Sequence, residues 1–185
     1  MTPWDLPCRA VIGGKNYGIH SDYRDILEIF SYFEAPDLTD DRKWRIGVSL
    51  FYEQPVPDSH FSEAVTFLAD FLRGGQKTPE IPGPKLIDWE QDAAIIAAEV
   101  NKVAGQEIRA LPYVHWWTFL SWFYGIGEGP LSALVGIRDK LHRGVELELW
   151  EKMYYRANRN MVDWKPRYSS RELEERQRLE KLLGE

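Results

Sequence analysis

Apolar residues along this chain recur at helical spacing far more often than at the alternating spacing of strands. Tyr23, Ile26, Leu27, Phe30 and Phe33 fall on one face of a stretch of roughly three turns. Ser21 or Asp22 supplies an N-cap for it, and Pro36 a stop. After Thr39, a second N-cap, Trp44, Val48, Phe51 and Tyr52 repeat the pattern. Asp40 and Asp41 favour the positive end of that helix, and Pro55 and Pro57 are expected to end it. A third helix follows Asp58 or Ser59, with Phe61, Val65, Leu68 and Leu72 on one face and Gly74-Gly75 as its C-terminal signal.

The second half continues in the same period. Trp89, Ala93, Ile96, Val100 and Val103 predict a fourth helix over about 86–104, ended by Gly105, with small residues at Ala93, Ala94, Ala97 and Ala98. The run Tyr113–Tyr124 is apolar nearly all round, which predicts a central buried helix. Gly125, Gly127 and Gly129 break it, and the next helix begins near Pro130 and carries Leu131, Leu134, Val135 and Leu141. Trp150, Met153, Tyr154, Ala157 and Met161 mark a further amphipathic helix. Beyond Pro166, residues 169–185 pair opposite charges at i,i+4 (Glu172 with Arg176, Glu174 with Arg178) around a narrow leucine strip, the pattern of a solvated helix.

Only residues 9–20 read as strand. Ala10-Val11-Ile12, the turn Gly13-Gly14-Lys15-Asn16 and Tyr17-Gly18-Ile19 predict a hairpin, which must pack on helices to be stable. The expected fold is therefore mainly α, a multi-helix domain with a small N-terminal β-hairpin. It divides into 1–73, a Gly/Pro linker loop at 74–85, a central region at 86–168 packed on the first as one domain, and the charged helix at 169–185.

Composition narrows the function. Hydrophobic residues make up 44% and charged residues 28% of 185, ordinary globular values. Aromatic residues reach 14%, with 8 Trp; they imply a large aromatic core, or in part a partner-binding face. A net charge of −6 works against unaided nucleic-acid binding. The most nucleic-acid-like stretch interleaves Arg156, Arg159, Lys165 and Arg167 with Tyr154, Tyr155, Trp164 and Tyr168, and acidic neighbours dilute it. Cys8 is the one cysteine, so no internal disulfide forms. The N-terminus lacks the pattern of a signal peptide, and no apolar run is long enough for a membrane span.

Candidate chemistry is sparse. Asp88 and Asp92 lie one turn apart and could share a cation, but acids at a helix start are also favoured by its dipole. His115 could serve as base or ligand, or simply be hydrogen-bonded at the start of a buried helix. Gly125-Ile126-Gly127-Glu128-Gly129 lacks the residues of a phosphate loop and follows a helix. No motif calls for a cofactor or a metal, and no convergent catalytic set is visible, so the expectation is a protein without enzymatic activity.

Three blocks in order resemble the bacteriophage gene-product-fifteen family of long-tailed phages. They are Ile12–Arg24 with its Asp22-Tyr23-Arg24 exit; Ile87–Ile96 with Asp88, Glu90 and Asp92; and Val114–Phe119 with His115 and Trp116, followed by Leu131–Arg138. The resemblance implies a tail assembly chaperone that binds the tape measure protein and recruits tail tube subunits. It would work in the host bacterial cytoplasm, be absent from the mature virion, and need no nucleic acid or membrane, with self-association left open. A structural virion component, such as a tail-completion protein, is the alternative. The partner surfaces expected on this reading are Trp116, Trp117, Phe119 and Trp122, the 74–85 loop, and Leu179 and Leu182 of the last helix.

Overall fold

The computed structural model describes residues 4–76 and 83–183, with the backbone alone at residues 180, 182 and 183. The rest of the 74–85 loop falls outside the described residues. Strands β1 (Arg9–Ile12) and β2 (Lys15–Gly18) pair antiparallel with Ile12 opposite Lys15. The turn is tighter than expected, Gly13-Gly14 alone. Both glycines have positive φ, the condition a two-residue hairpin turn imposes. Ala10, Ile12 and Tyr17 face inward, and the Gly13 N–H reaches the Glu63 carboxylate at 2.8 Å, which pins the hairpin to the helices.

The remaining architecture is helical: α1 (Tyr23–Phe33), α2 (Asp40–Phe51), α3 (Phe61–Leu72), α4 (Ala93–Ala104), α5 (Trp116–Tyr124), α6 (Pro130–His142), α7 (Leu149–Ala157), α8 (Arg159–Val162) and α9 (Ser170–Leu183). Asp22 caps α1 through its side chain, accepting from the Arg24 N–H at 2.9 Å. Helix α2 ends at Phe51, ahead of the prolines expected to stop it. There Tyr52 turns extended, bridges to Ile19 and donates its hydroxyl to the Ala64 carbonyl at 3.0 Å.

One core joins both sides of the linker: Ile26, Phe51, Leu68 and Phe71 before it, and Val100, Trp116, Phe119, Leu134 and Ile137 after it. The aromatic excess goes chiefly here. Tyr23 and Phe119 stack 4.9 Å apart, and Trp89 packs against Phe30, Trp116, Phe119 and Phe123. The two adjacent indoles of α5 end α3. Trp116 Nε1 donates to the Leu72 carbonyl and Trp117 Nε1 to the Phe71 carbonyl, both at 2.9 Å, so the Leu72 carbonyl, open at a helix end, is satisfied inside the core and the Phe71 carbonyl takes a second donor beside the Gly74 N–H. Gly74 and Gly75 follow with positive φ, and a Cβ on Gly75 would stand 3.1 Å from the Trp117 ring.

Three sequence expectations need correction. The fourth helix starts at Ala93, because 89–92 form a turn held by carboxylates. The expected Tyr113–Tyr124 helix starts at Trp116 and is buried mainly in its first half; Tyr124 is exposed. The expected helix through Met161 breaks at Asn158 into α7 and α8, and most of its apolar stripe faces water.

Candidate functional site

The residues singled out by motif assemble into two clasps. In the first, Asp22 pairs with Arg24 at 3.1 Å and accepts the Val114 N–H at 2.9 Å. Arg24 donates to the Leu111 carbonyl at 2.6 Å. The Tyr23 N–H reaches the Val114 carbonyl, and the Trp116 N–H reaches the Ser21 carbonyl at 2.7 Å. His115 then caps α5: its Nδ1 accepts the Trp117 N–H at 3.0 Å, which places the ring proton on Nε2, 3.1 Å from the Pro7 carbonyl. Burial pushes the His115 pKa below its ordinary value, against a smaller upward pull from Pro7. The ring is thus a neutral cap, with both nitrogens committed to backbone.

The second clasp is built on Arg138. Its side chain is 2% exposed, as is that of Asp92, and they meet in a bidentate pair at 2.6 and 2.9 Å. Its other donors go to the carbonyls of Leu86, Met161 and Val162, so all five N–H groups of the guanidinium are used. The Trp164 ring covers it, with its centroid 4.0 Å from the guanidinium carbon. Asp88 accepts the N–H groups of Glu90 and Gln91 and pairs with Lys85 and Arg167. Burial alone would raise its pKa; the Gln91 and Glu90 N–H groups and the Lys85 ammonium outweigh that and hold it at about 2. Glu90 joins through Arg167 at 3.2 Å, and the Gln91 amide donates to the Met161 and Asp163 carbonyls. The 87–92 turn therefore grips the segment 161–167.

These arrangements decide between the alternatives posed by sequence. Asp88 and Asp92 each already have cationic partners, and His115 belongs to the other clasp, so the three do not converge. Among the described residues no group of three or more His, Cys, Asp or Glu is placed to hold a metal ion. Of the basic and aromatic stretch near the C-terminus, Arg159 is paired with Asp163, and Arg167 with Asp88 and Glu90. Among the described residues every buried side-chain nitrogen and oxygen has a hydrogen-bond partner. No helix among them is long and apolar enough to cross a membrane.

The expected partner surface changes place. Trp116, Trp117 and Phe119 are buried, because their rings fill the core and the two indole N–H groups are spent on α3. Trp122 is half-buried against the core; Leu179 is exposed; the Leu182 side chain lies outside the described residues. The accessible apolar face is on α7. Leu149 is 77% exposed, Trp150 52% and Met153 64%, while the one fully buried side chain of the helix is the acid Glu151. Glu151 is drawn inward by Lys140 of α6 at 2.7 and 2.8 Å, and it also accepts the Glu148 N–H. Tyr154 and Tyr155 of the same helix pack partly buried against the core, and the apolar side chains left in water are Leu149, Trp150 and Met153. The signal for the Glu151 pairing in the sequence is faint: Glu148 and Glu151 read as a helix-start pair, but nothing local names Lys140 as the partner.

A second accessible feature is a groove along α1 and α4. Cavities of about 520 and 290 Å³ lie side by side there, both lined by Leu27 and Trp89, and the buried Ile96 and Phe119 line the larger. No family model matches this chain, and neither a curated protein nor a solved structure matches it.

Proposed function

We propose that this chain is a binding protein that works through apolar helical surface and transforms no substrate. More particularly, we propose a tail assembly chaperone of a long-tailed phage. It engages the tape measure protein, recruits tail tube subunits in the host bacterial cytoplasm, and leaves before the virion is complete.

The observation that carries the reading is helix α7, which holds Leu149, Trp150 and Met153 in water beside a buried Glu151. Exposed apolar side chains grouped on a helix are a feature of interaction surfaces. The clasps support the same reading from the other side, since the conspicuous polar residues are consumed in holding the fold. A tape measure protein is long and helical, with apolar stripes that aggregate when uncovered, and an apolar helical face covers such stripes. Fully burying a side chain of this size contributes about 1.5–3 kcal/mol, much of it offset by the entropy of association. Each contact is therefore weak, repetition along the partner makes the coat hold, and the coat still comes off.

The test is co-expression with the tape measure protein of the same tail gene cluster. The wild-type chain keeps that protein soluble and co-purifies with it; the double variant Trp150→Glu/Met153→Glu does not. A tape measure protein that stays insoluble and unbound beside the wild-type chain overturns the proposal. Mass spectrometry of purified virions separates the two phage readings, because a structural component persists there and a chaperone does not.

A further inference from the structure

Helix α7 leaves one continuous arc in water. At about 100° per residue, Arg156, Leu149, Met153, Ala157 and Trp150 fall in that order across about 120° of its surface, and all five are exposed. Glu151, Tyr154 and Tyr155 take the opposite side. The arc therefore carries apolar side chains, no carboxylate and a single charge. Arg156 has no partner among the described residues. The nearby lysines are spent elsewhere, Lys152 on Glu146 at 2.6 Å and Lys140 on Glu151 at 2.7 Å. Arg156 stands about 10 Å along the axis from Leu149, at the end of the apolar strip.

This arrangement specifies what a partner must offer. An apolar strip on one helix is covered by another helix that brings an apolar stripe of the same period. Covering the strip also takes water from the guanidinium at its end, and a carboxylate placed there compensates the loss. A basic group in that place would be repelled. A second copy of this chain does not meet the requirement. In a parallel pairing two Arg156 side chains would meet. In an antiparallel one Arg156 would approach the acids at the far end of the helix, and these are taken: Glu146 holds Lys152 at 2.6 Å, and Glu148 holds the Trp150 Nε1 at 3.0 Å and Lys140 at 3.8 Å. The exposed strip, on the order of a few hundred Å², also falls short of the ~800 Å² that each side of a standard interface buries.

We propose that α7 receives an amphipathic helix of another protein whose apolar stripe ends in an aspartate or glutamate, and that Arg156 is the residue that selects this acid. The inference rests on the reading of α7 as the partner surface and adds the chemistry of the segment it takes. Leu149, Trp150 and Met153 supply the adhesion. Arg156 fixes which way the incoming helix lies, because only one direction along the strip brings the acid to the guanidinium. A pair at the rim of such a contact sets direction and choice of partner more than strength.

The test uses the full chain and two synthetic amphipathic helical peptides with the same leucine stripe, one ending it in Glu and the other in Lys, with binding read by fluorescence anisotropy of a labelled peptide. No tape measure protein is present, so failure here is separate from failure of the chaperone reading in co-expression. The wild-type chain binds the Glu peptide about fivefold tighter than the Lys peptide, and Arg156→Glu reverses the preference. Leu149→Ser/Met153→Ser weakens both peptides alike by about tenfold or more. All of these substitutions lie on the exposed arc, and the near-ultraviolet circular dichroism stays that of the wild type. A wild-type chain that binds neither peptide, or binds both equally, overturns the proposal. So does a preference that survives Arg156→Glu, or binding that survives Leu149→Ser/Met153→Ser, which would place the peptide off α7. A wild-type chain that sediments as a dimer and becomes a monomer on Leu149→Ser/Met153→Ser also overturns it, since the strip would then be covered by a second copy.

Discussion

Replacing Arg138 with methionine keeps most of its length and removes the whole guanidinium. The Asp92 carboxylate, 2% exposed, then keeps the Asp88 N–H, at 2.9 Å, as its partner among the described residues. The carbonyls of Leu86, Met161 and Val162 lose their donors at the same time. Removing one member of a buried ion pair costs about 3–5 kcal/mol. Set against a typical stability of about 5–15 kcal/mol, that is a large share of the fold. For a chain of this size it corresponds to a fall in Tm of about 6–20 °C. Urea unfolding followed by tryptophan fluorescence measures it, with Trp164 over the guanidinium as a local reporter. Arg138→Lys restores the charge but has three donors for five acceptors, so it falls between wild type and Arg138→Met. Asp92→Leu/Arg138→Met is less destabilised than the sum of the single changes by about 2 kcal/mol, since the charge left alone in either single variant is gone. A loss below about 1 kcal/mol for Arg138→Met, or strict additivity in the double variant, would refute the account of this clasp.

Four further outcomes follow from the geometry. His115 is held neutral in the folded chain while the unfolded chain protonates near pH 6.5, so stability is full above that value and falls as pH drops below it; His115→Asn keeps a cap and flattens the dependence of Tm between pH 7.5 and 5.5. Asp88 contributes roughly 2 kcal/mol that is present above pH 3.8 and lost as pH falls toward 2, so Asp88→Asn removes that part of the acid transition seen by circular dichroism. Trp116→Phe leaves the Leu72 carbonyl without its donor and costs about 1–3 kcal/mol in urea unfolding. Trp150→Glu/Met153→Glu changes stability by no more than about 0.5 kcal/mol while abolishing tape measure binding in the co-purification assay.

Periodicity identified the helices and the hairpin because both depend on neighbours within a few residues. Asp22 before Tyr23, Gly13-Gly14 between apolar runs, and Pro130 at the start of α6 carry their own local physics. What periodicity missed depends on distant partners. Residues 87–92 have a helical pattern, yet Asp88 spends its carboxylate on the Glu90 and Gln91 N–H groups and Asp92 is drawn to Arg138, 46 residues away. The aromatic run of α5 is legible as apolar, but its indoles could not be assigned to core over surface without α3 and its two terminal carbonyls. Helix α7 is the clearest case. Its apolar stripe is present in the sequence, but its division between core (Tyr154, Tyr155) and water (Leu149, Trp150, Met153), with Glu151 turned to Lys140, depends on other helices.

The two flanks of the 74–85 segment are fastened independently of each other. Trp116 and Trp117 hold the chain where α3 ends, and Arg138, with the acid turn, holds it again from Leu86 onward. Each mooring therefore stands without the other: loosening the end of α3 by Trp116→Phe leaves Leu86 held by Arg138, and Arg138→Met leaves both indole bonds to α3 in place.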